Sequence, residues 1–397
     1  MTSPRLLWFI PFVSTLDRVA MPPMMVSMAV ELGLPLSDLV HAVGAYALAY
    51  GLTQPLWGMI SDRFGLVATM RFALALGAVF TGLSALTGSA LGLALARGLA
   101  GGFFGAAIPS TLVYVGDTVP AGSRQRQITH LMTGVAVGTA IASTAAGAMA
   151  QFASWRVVFA LTAVFALVLV FALGKLPSPP RSRMHLGVLA PLLTVARSRT
   201  ALLVLVLAFT EGLVLTGTLT LLPPAVEATG TGPAVAGAVT AVYGVAVLVA
   251  AQVVGRLSAR THAWRIMALG GGCAVLACAL AAFSQAPAVA VAAAALMGVA
   301  WAGLHSSLQT WATEVLPRPG PRWCRRSPGR SSWAARRPRR WRRRRPRITA
   351  SASSSRWGRC WPYRCRWWPR WRGGGGCGRK ASPVVDRPVD RCLPHGG

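Results

Sequence analysis

A few charged residues lie inside segments of the chain that otherwise contain almost only apolar residues. Asp17 and Arg18 are adjacent in one such segment, Arg97 lies in a second and Glu211 in a third. A carboxylate in apolar surroundings is costly unless it is paired or protonated, so it can take up a proton or hold a cation. His305 adds an imidazole, which changes charge near physiological pH. These five residues are candidates for proton or substrate coupling.

No set of residues has the pattern of a catalytic centre. There is no Ser/His/Asp set, no cluster spaced as metal ligands and no phosphate-binding Gly-rich loop, and Gly373 to Gly376 lies in a tail of unusual composition. Only Cys273 and Cys278 precede residue 317, which supports neither a disulfide framework nor a metal motif. We therefore expect no enzyme activity, no metal and no cofactor.

The segments that must position these residues have the composition of membrane helices. The chain is 54% hydrophobic and 13% charged, whereas globular domains carry about 25% charged residues. Leu202 to Thr210 and Ala286 to Thr313 contain no Lys, Arg, Asp or Glu. A bilayer core requires roughly 20 apolar residues per helix. The first segment, Leu6 to Val30, is longer than the apolar part of a signal peptide and predicts a retained helix.

The apolar segments predict ten spans, at 6–30, 39–60, 71–87, 90–114, 128–150, 157–173, 201–222, 235–254, 266–284 and 288–313. Alternate loops hold twelve Lys and Arg residues, and the intervening loops hold only Arg156. Basic loops stay on the cytoplasmic side. We therefore expect a multi-pass protein of the cytoplasmic membrane with a cytoplasmic N-terminus.

Similar residues recur 197 positions apart along the chain. The pairs are Tyr46/Tyr243, Gly58/Gly255, Ser61/Ser258, Arg63/Arg260, Gly33/Gly230, Asp117/Glu314 and Pro120/Pro317. One shared offset in several regions indicates a duplicated unit. The predicted organisation is an N-terminal six-helix half at 1–174, a cytoplasmic connection at 175–199, a C-terminal half with four helices at 200–317 and a basic tail at 318–397.

The loop after the second span carries the most specific motif. Gly58, Asp62, Arg63, Gly65 and Arg71 resemble the signature loop of the major facilitator superfamily. The resemblance implies an all-α polytopic fold of two six-helix halves, of which ten of the twelve helices are recognisable here. It also implies that the loop acts as a latch, in which Asp62 faces the N-terminus of an eleventh helix and Gly58 allows a close helix approach.

The fourth span resembles another motif of the same superfamily. Arg97 is followed by Gly98, Gly101, Gly102 and Gly105, a small-residue face suited to tight helix contact. An intramembrane Arg predicts function by default. The alternative is that Arg97 extends its guanidinium to the outer interface.

The first and fifth spans resemble exporters of the superfamily. Asp17 and Arg18 precede Pro22 and Pro23 in the first span, as in many exporters, and Asp17 is the leading coupling candidate. The alternative for Asp17, and for Glu211 in the seventh span, is a structural ion pair or a position closer to the interface. The fifth span has small residues at the exporter-motif positions but Ser143 where the kinking Pro is expected. These small residues are Gly138, Ala142, Ser143, Ala146 and Gly147.

Other polar residues within the spans are candidates for the wall of a central cavity. They are Tyr46, Gln54, Tyr243, Gln252, Trp301 and Gln309. The alternative is that each holds two helices together. Ala259 replaces the expected Asp in the second copy of the signature loop, so the latch is expected on one side only.

The last 80 residues differ in composition from the rest. The tail holds 24 of the 40 Lys and Arg, and nine Arg lie between Arg336 and Arg347. Each Arg at a helix centre costs about 2.5–3.5 kcal/mol, so this segment does not cross a bilayer. Helices eleven and twelve are expected near 325–347 and 354–370. The leading interpretation is a reading-frame shift near codon 317, and the alternative is a genuine basic tail that binds anionic lipid or nucleic acid.

Two functions remain open at this point. The first is a secondary active transporter of small molecules that works by alternating access, with proton-coupled efflux as the favoured mode. Its expected partners are a small-molecule substrate, a proton and the lipid bilayer, with no specific nucleic acid, and the chain is expected to be a monomer. The second is a transport-incompetent relative or a membrane-anchored binding protein that uses the tail.

Overall fold

All ten predicted spans are helical in the computed structural model, which describes residues 4–179, 193, 195–258 and 260–315. Within these residues there are helices and turns but no strand. Eight of the described helical segments are long and apolar enough to cross a membrane, and the helices of the first two predicted spans are not among those eight. The chain is an all-α polytopic membrane protein. The predicted tail at 318–397, Ala259 and Pro317 lie outside the described residues.

The helices agree with the predicted spans to within several residues at most ends. Span 1 is Pro4–Ala20 and Met25–Leu32, joined by the 3-10 turn Pro22–Met24. Spans 2, 3, 5 and 6 are Leu36–Phe64, Leu66–Leu86, Ala121–Phe152 and Trp155–Leu173. Span 4 is Ala90–Phe104 and Ala107–Thr118. Span 7 is Arg199–Glu211 and Gly217–Glu227, joined by the π-helical turn Gly212–Thr216. Spans 8, 9 and 10 are Pro233–Ser258, Ala263–Phe283 and Pro287–Val315.

Span 2 and span 4 pack closely because span 4 presents glycines to span 2. A Cβ atom on Gly101 would overlap the carbonyl oxygen of Tyr46, and one on Gly105 would lie 2.8 Å from the carbonyl oxygen of Tyr50. Only a residue without a side chain allows the two backbones to approach this closely. The predicted glycine face therefore does bring helices together.

The internal repeat is visible in the local geometry of both halves. Gly33 and Gly230 both have a positive φ, 62° and 90°, a conformation that a residue without Cβ adopts at low cost. Ser61 Oγ donates to the Gly58 carbonyl at 2.7 Å, and Ser258 Oγ donates to the Gly255 carbonyl at 2.9 Å.

The repeat extends to a glycine pair that the sequence comparison missed. Gly298 lies 197 residues after Gly101, and a Cβ on it would stand 2.8 Å from the carbonyl oxygen of Tyr243. Gly101 has the same relation to Tyr46. One helix contact of the N-terminal half thus recurs at the equivalent position in the C-terminal half.

The two halves meet mainly where span 5 crosses span 8. Gly147 lies against the backbone of Pro233, and Gly237 lies against the carbonyl oxygen of Ser143. Gln151 Oε1 accepts a hydrogen bond from the backbone N–H of Ala234 at 3.0 Å. These contacts close the end of the bundle that holds the loops after spans 1, 3, 5 and 7.

The opposite end of the bundle carries the basic loops. Arg71 Nε donates to the Val170 carbonyl at 3.1 Å, which joins the start of span 3 to the end of span 6. Tyr114 Oη donates to the Pro177 carbonyl at 3.1 Å. We call this end, which holds the loops after spans 2, 4, 6 and 8, the basic end.

Candidate functional site

Asp17 and Arg97 form a fully buried ion pair inside the N-terminal half. Arg97 Nη1 lies 3.0 Å from Asp17 Oδ1 and Nη2 lies 3.1 Å from Oδ2, with side-chain exposures of 1% and 0%. Arg97 Nη2 also donates to the Asp17 carbonyl at 2.9 Å, and Thr81 Oγ1 donates to Asp17 Oδ1 at 2.7 Å. A two-pronged guanidinium–carboxylate pair of this kind is a strong, oriented interaction. The ion pair that the sequence left as an alternative role for Asp17 is therefore present.

Two aromatic rings enclose the Arg97 guanidinium. Its Cζ lies 4.5 Å from the centroid of Tyr46 and 4.9 Å from that of Phe159. Both rings can stabilise the cation through their electron-rich faces. The alternative that Arg97 extends to the outer interface is wrong, because its side chain is only 1% exposed and pairs with the buried Asp17.

Arg18 has different surroundings from the aspartate beside it. Its side chain is half-buried, and its Cζ lies 5.5 Å from the centroid of the Tyr50 ring. Its charge also interacts with Tyr46 in the same half and with Tyr243 in the other half. Among the described residues no carboxylate lies within 4.0 Å of Arg18. Of the two adjacent residues, Arg18 is therefore the one without a described carboxylate partner, and its charge acts on a residue of the other half.

Glu211 and His305 form a second titratable pair, in the C-terminal half. Glu211 Oε1 lies 3.4 Å from His305 Nδ1, and the side-chain exposures are 6% and 37%. This separation permits electrostatic attraction, yet Oε1 accepts no hydrogen bond from any described residue. His305 stacks on Trp301 with centroids 4.6 Å apart, and its Nε2 lies 2.9 Å from Gln309 Nε2.

The remaining cavity candidates differ in burial and in whether they contact a charged cluster. Tyr46 is buried beneath Arg97 and stacks on Tyr50 at 6.1 Å, so it supports the ion pair. Tyr243 is half-buried and interacts electrostatically with both Arg18 and Glu211. Gln54 is half-buried and Gln252 is exposed, and neither is brought into the two charged clusters.

The signature loop has the predicted backbone shape. Gly65 ends span 2 with a φ of 95° and a ψ of 145°, which explains the glycine there. Arg63 lies over the Phe64 ring at 5.6 Å. Asp62 is exposed, and no described atom lies within 4 Å of a Cβ built on Gly58. The described residues therefore supply no partner for the latch, and the expected eleventh helix lies outside them.

Sequence reasoning missed three groups that hold the site in place. Thr81 and Phe159 complete the environment of Asp17 and Arg97. Arg156 forms a salt bridge with Glu31 at 3.0 Å, and Trp155 Nε1 donates to the same carboxylate at 2.7 Å. The sequence could have identified Tyr50 as a site residue, because it lies one helical turn after Tyr46 and so shares its helix face.

The fold and these sites define a class of protein. Two related helical units enclose buried charges from both halves, and the described residues contain no group of three or more His, Cys, Asp or Glu that could hold a metal. Paired repeats around a central site are the architecture of secondary transporters. The sequence matches the Major Facilitator Superfamily over residues 7–320. The chain belongs to this family.

Solved transporters share this fold at low sequence identity. The nucleoside transporter NupG, in a mutant form, gives a TM-score of 0.67 at 13% identity over 79% of this chain and 83% of that chain. A bacterial homologue of the human lysosomal transporter Spinster gives 0.61 at 18% identity over 79% and 77%. A D-xylose–proton symporter gives 0.58 at 16% identity over 79% and 85%. These similarities establish the fold.

Curated relatives match a shorter part of the chain. A hexuronate transporter of Escherichia coli (strain K12) is 30% identical over 156 residues, which are 39% of this chain and 36% of the relative. A galacturonate transporter of Dickeya chrysanthemi is 28% identical over 128 residues, 32% of this chain and 37% of the relative. The chain thus spans about a third of the length of the curated relatives that it matches.

Proposed function

We propose that this membrane unit binds a small organic anion with a carboxylate group and that, once helices eleven and twelve complete its second half, it carries that anion by alternating access with proton coupling. Arg18 is the observation that carries the proposal. It is a half-buried cation whose charge acts on Tyr243 of the other half, and no described carboxylate lies within 4.0 Å of it. Asp17, the nearest carboxylate in sequence, is held by Arg97 and Thr81 instead. A guanidinium in this state suits a carboxylate ligand, which it can bind through two N–H groups.

Aromatic neighbours and the relatives support the same substrate class. Tyr50 lies beside Arg18, and the Arg18 charge also acts on Tyr243; both tyrosines can present hydroxyl groups and ring faces to a polyhydroxylated ligand. The hexuronate and galacturonate transporters are named for sugars that carry a carboxylate. A hexuronate is therefore the first probe to use.

Asp17 is the proposed proton site, as the sequence predicts. In the arrangement described, its carboxylate has two Arg97 N–H donors and the Thr81 hydroxyl. Protonation would remove its charge and release Arg97, which changes the contacts between spans 1, 3 and 4. Such a change in pairing can shift the equilibrium between two conformations of the N-terminal half.

Uptake of an anionic substrate requires coupling to a second ion. An anion that enters a negative-inside cell opposes the potential by about 2.3 kcal/mol per 100 mV, and a proton moving with it cancels that cost. We therefore favour proton symport over the efflux that the exporter-like motifs predict. Acidifying the outside should stimulate uptake under symport and stimulate release under antiport.

Binding of galacturonate to the purified full-length protein tests the substrate class. Replacement Arg18→Gln should weaken binding by about 10–100-fold, because a charge-assisted contact contributes about 1.5–3 kcal/mol. Arg18→Lys should bind with intermediate affinity, since it keeps the charge but loses the planar fork. Arg265→Gln, an exposed arginine over Trp264 at 5.3 Å, is the matched control and should bind as the wild type does. Equal affinity of Arg18→Gln and Arg265→Gln would reject the assignment.

The predicted topology remains part of the proposal. The basic end defined by Arg71 and Tyr114 is assigned to the cytoplasm, in a multi-pass protein of the cytoplasmic membrane. The alternative of a membrane-anchored binding protein depends on residues 318–397, which lie outside the described structure.

A further inference from the structure

We propose that Glu211 and His305 bind one proton between them, as a second proton site that is separate from Asp17 and lies in the other half. The role of this site in transport rests on the proposed function above. Proton binding itself does not, so it can be tested without any substrate.

The first argument is the incomplete pairing of Glu211. Its side chain is 6% exposed, and Oε1 accepts no hydrogen bond from a described residue. An ionised carboxylate is costly to bury in this condition. Asp17 is equally buried but has three donors to its carboxylate. A proton on the Glu211 carboxyl removes this cost, and His305 Nδ1, 3.4 Å away, is the group with which that proton can exchange.

The second argument is that His305 connects the buried carboxylate to open space. Nδ1 of His305 faces Glu211 at 3.4 Å, and its Nε2 faces the exposed Gln309 at 2.9 Å. The ring is held against Trp301, and the side chain is 37% exposed. An imidazole with one nitrogen on each side can pass a proton inward from the accessible side.

The third argument is the backbone after Glu211. The π-helical turn Gly212–Thr216 begins at the next residue. Turns of this kind are rare, and they occur frequently at functional sites inside helices. Because the turn breaks the regular ladder of span 7, Glu211 can change its distance from His305 without moving the whole span.

The fourth argument is the electrostatic connection to the substrate region. Three titratable or charged side chains act around Glu211 in the described residues. His305 from span 10 faces Glu211 at 3.4 Å, Tyr243 from span 8 feels the Glu211 charge, and the Arg18 charge from span 1 acts on the same Tyr243. A proton on the pair makes the region around Tyr243 more positive, which favours an anion beside Arg18. By linkage, the bound anion then favours the proton.

Infrared spectroscopy of the full-length protein in nanodiscs tests the proposal, because a protonated carboxyl group has its own C=O stretch. The chain has only ten Asp and Glu residues, so single carboxyls can be resolved by difference. Acidification from about pH 8 to about pH 5 spans the ordinary range of imidazole and carboxyl titration. In Glu211→Gln, the C=O stretch of the protonated carboxyl groups should lose one component.

Three further variants separate this site from other carboxyls. Asp17→Asn should keep the Glu211 component, because the two sites lie in different halves. Glu31→Gln is the matched control, a carboxylate paired with Arg156 and Trp155, and should also keep it. His305→Gln should keep the component but change the pH at which it appears. The proposal is overturned if Glu211→Gln removes nothing, or if His305→Gln leaves the titration unchanged.

Either outcome is distinguishable from the outcome of the galacturonate test. Loss of the Glu211 component together with unaltered binding in Arg18→Gln would support the proton site and reject the substrate class. Galacturonate binding that depends on Arg18, without a Glu211 component, would do the reverse.

Discussion

The two halves have similar helices but very different burial. In span 3, Leu66–Leu86, 50% of the apolar stretch is buried, whereas in span 9, its counterpart Ala263–Phe283, 22% is buried. Span 7, Arg199–Glu227, has only 17% of its stretch buried. The hydropathy of span 9 is no lower than that of span 3, at 2.2 against 1.8. The difference therefore lies in the neighbours available to each helix.

The N-terminal half shows which neighbours spans 7 and 9 lack among the residues that the structure describes. There, span 1 packs on span 5 and span 3 packs on span 6. The 197-residue repeat places the counterparts of spans 5 and 6 near 325–347 and 354–370, in the arginine-rich tail. The exposed faces of spans 7 and 9 match the expectation of two further helices, which the duplicated architecture requires.

The largest expected effect is the gain of transport on restoring the reading frame. If the tail arises from a shift near codon 317, the next frame encodes two apolar helices. The corrected protein should then exchange labelled galacturonate in liposomes, whereas the present chain should remain at the level of empty liposomes. Helix eleven would also supply the helix N-terminus that Asp62 is expected to face.

Two observations would contradict that prediction. One is a downstream frame that encodes no apolar helix of about 20 residues. The other is galacturonate exchange by the present chain with its tail intact. Asp62→Asn in the corrected protein is the matched variant, since it removes the latch charge without changing helix number.

A smaller effect is expected on stability from the two buried acidic sites. Asp17→Ala should lower the free energy of unfolding by about 3–5 kcal/mol, because it leaves the Arg97 charge buried without a partner. Glu211→Ala should cost less, because Glu211 accepts no hydrogen bond at Oε1 from a described residue. Denaturant unfolding in detergent, followed by circular dichroism, measures both.

A double variant distinguishes pairing from packing at Asp17. Replacement of both Asp17 and Arg97 by Leu should be less damaging than either single change, because no unpaired charge remains. If Asp17→Ala lowers the free energy of unfolding no more than Glu211→Ala does, the inference that Asp17 is fully paired and Glu211 incompletely paired is wrong.

The sequence predicted the elements well because length and hydropathy dictate membrane helices directly. It located Asp17 and Arg97 separately but could not pair them, since the partner is 80 residues away and the contact depends on how spans 1 and 4 cross. Likewise, Thr81 looks like an ordinary polar residue until the fold sets it beside Asp17. The π-helical turn after Glu211 leaves no composition signal.

The smallest expected effect concerns the repeated glycine contact. Gly101→Ala should cost about 1–3 kcal/mol, because its Cβ meets the backbone of Tyr46, which cannot rotate away. In Gly298→Ala, the new Cβ would lie 2.6 Å from Ala246 Cβ and 2.8 Å from the Tyr243 carbonyl oxygen. The loss of stability should be smaller than for Gly101→Ala, because the poorly enclosed C-terminal half can shift to accept the added methyl group. Gly58→Ala, with open space at its Cβ, is the matched control and should be neutral or slightly stabilising. Equal losses for the first two variants would mean that the C-terminal half is as rigid as the N-terminal half despite its exposed helices.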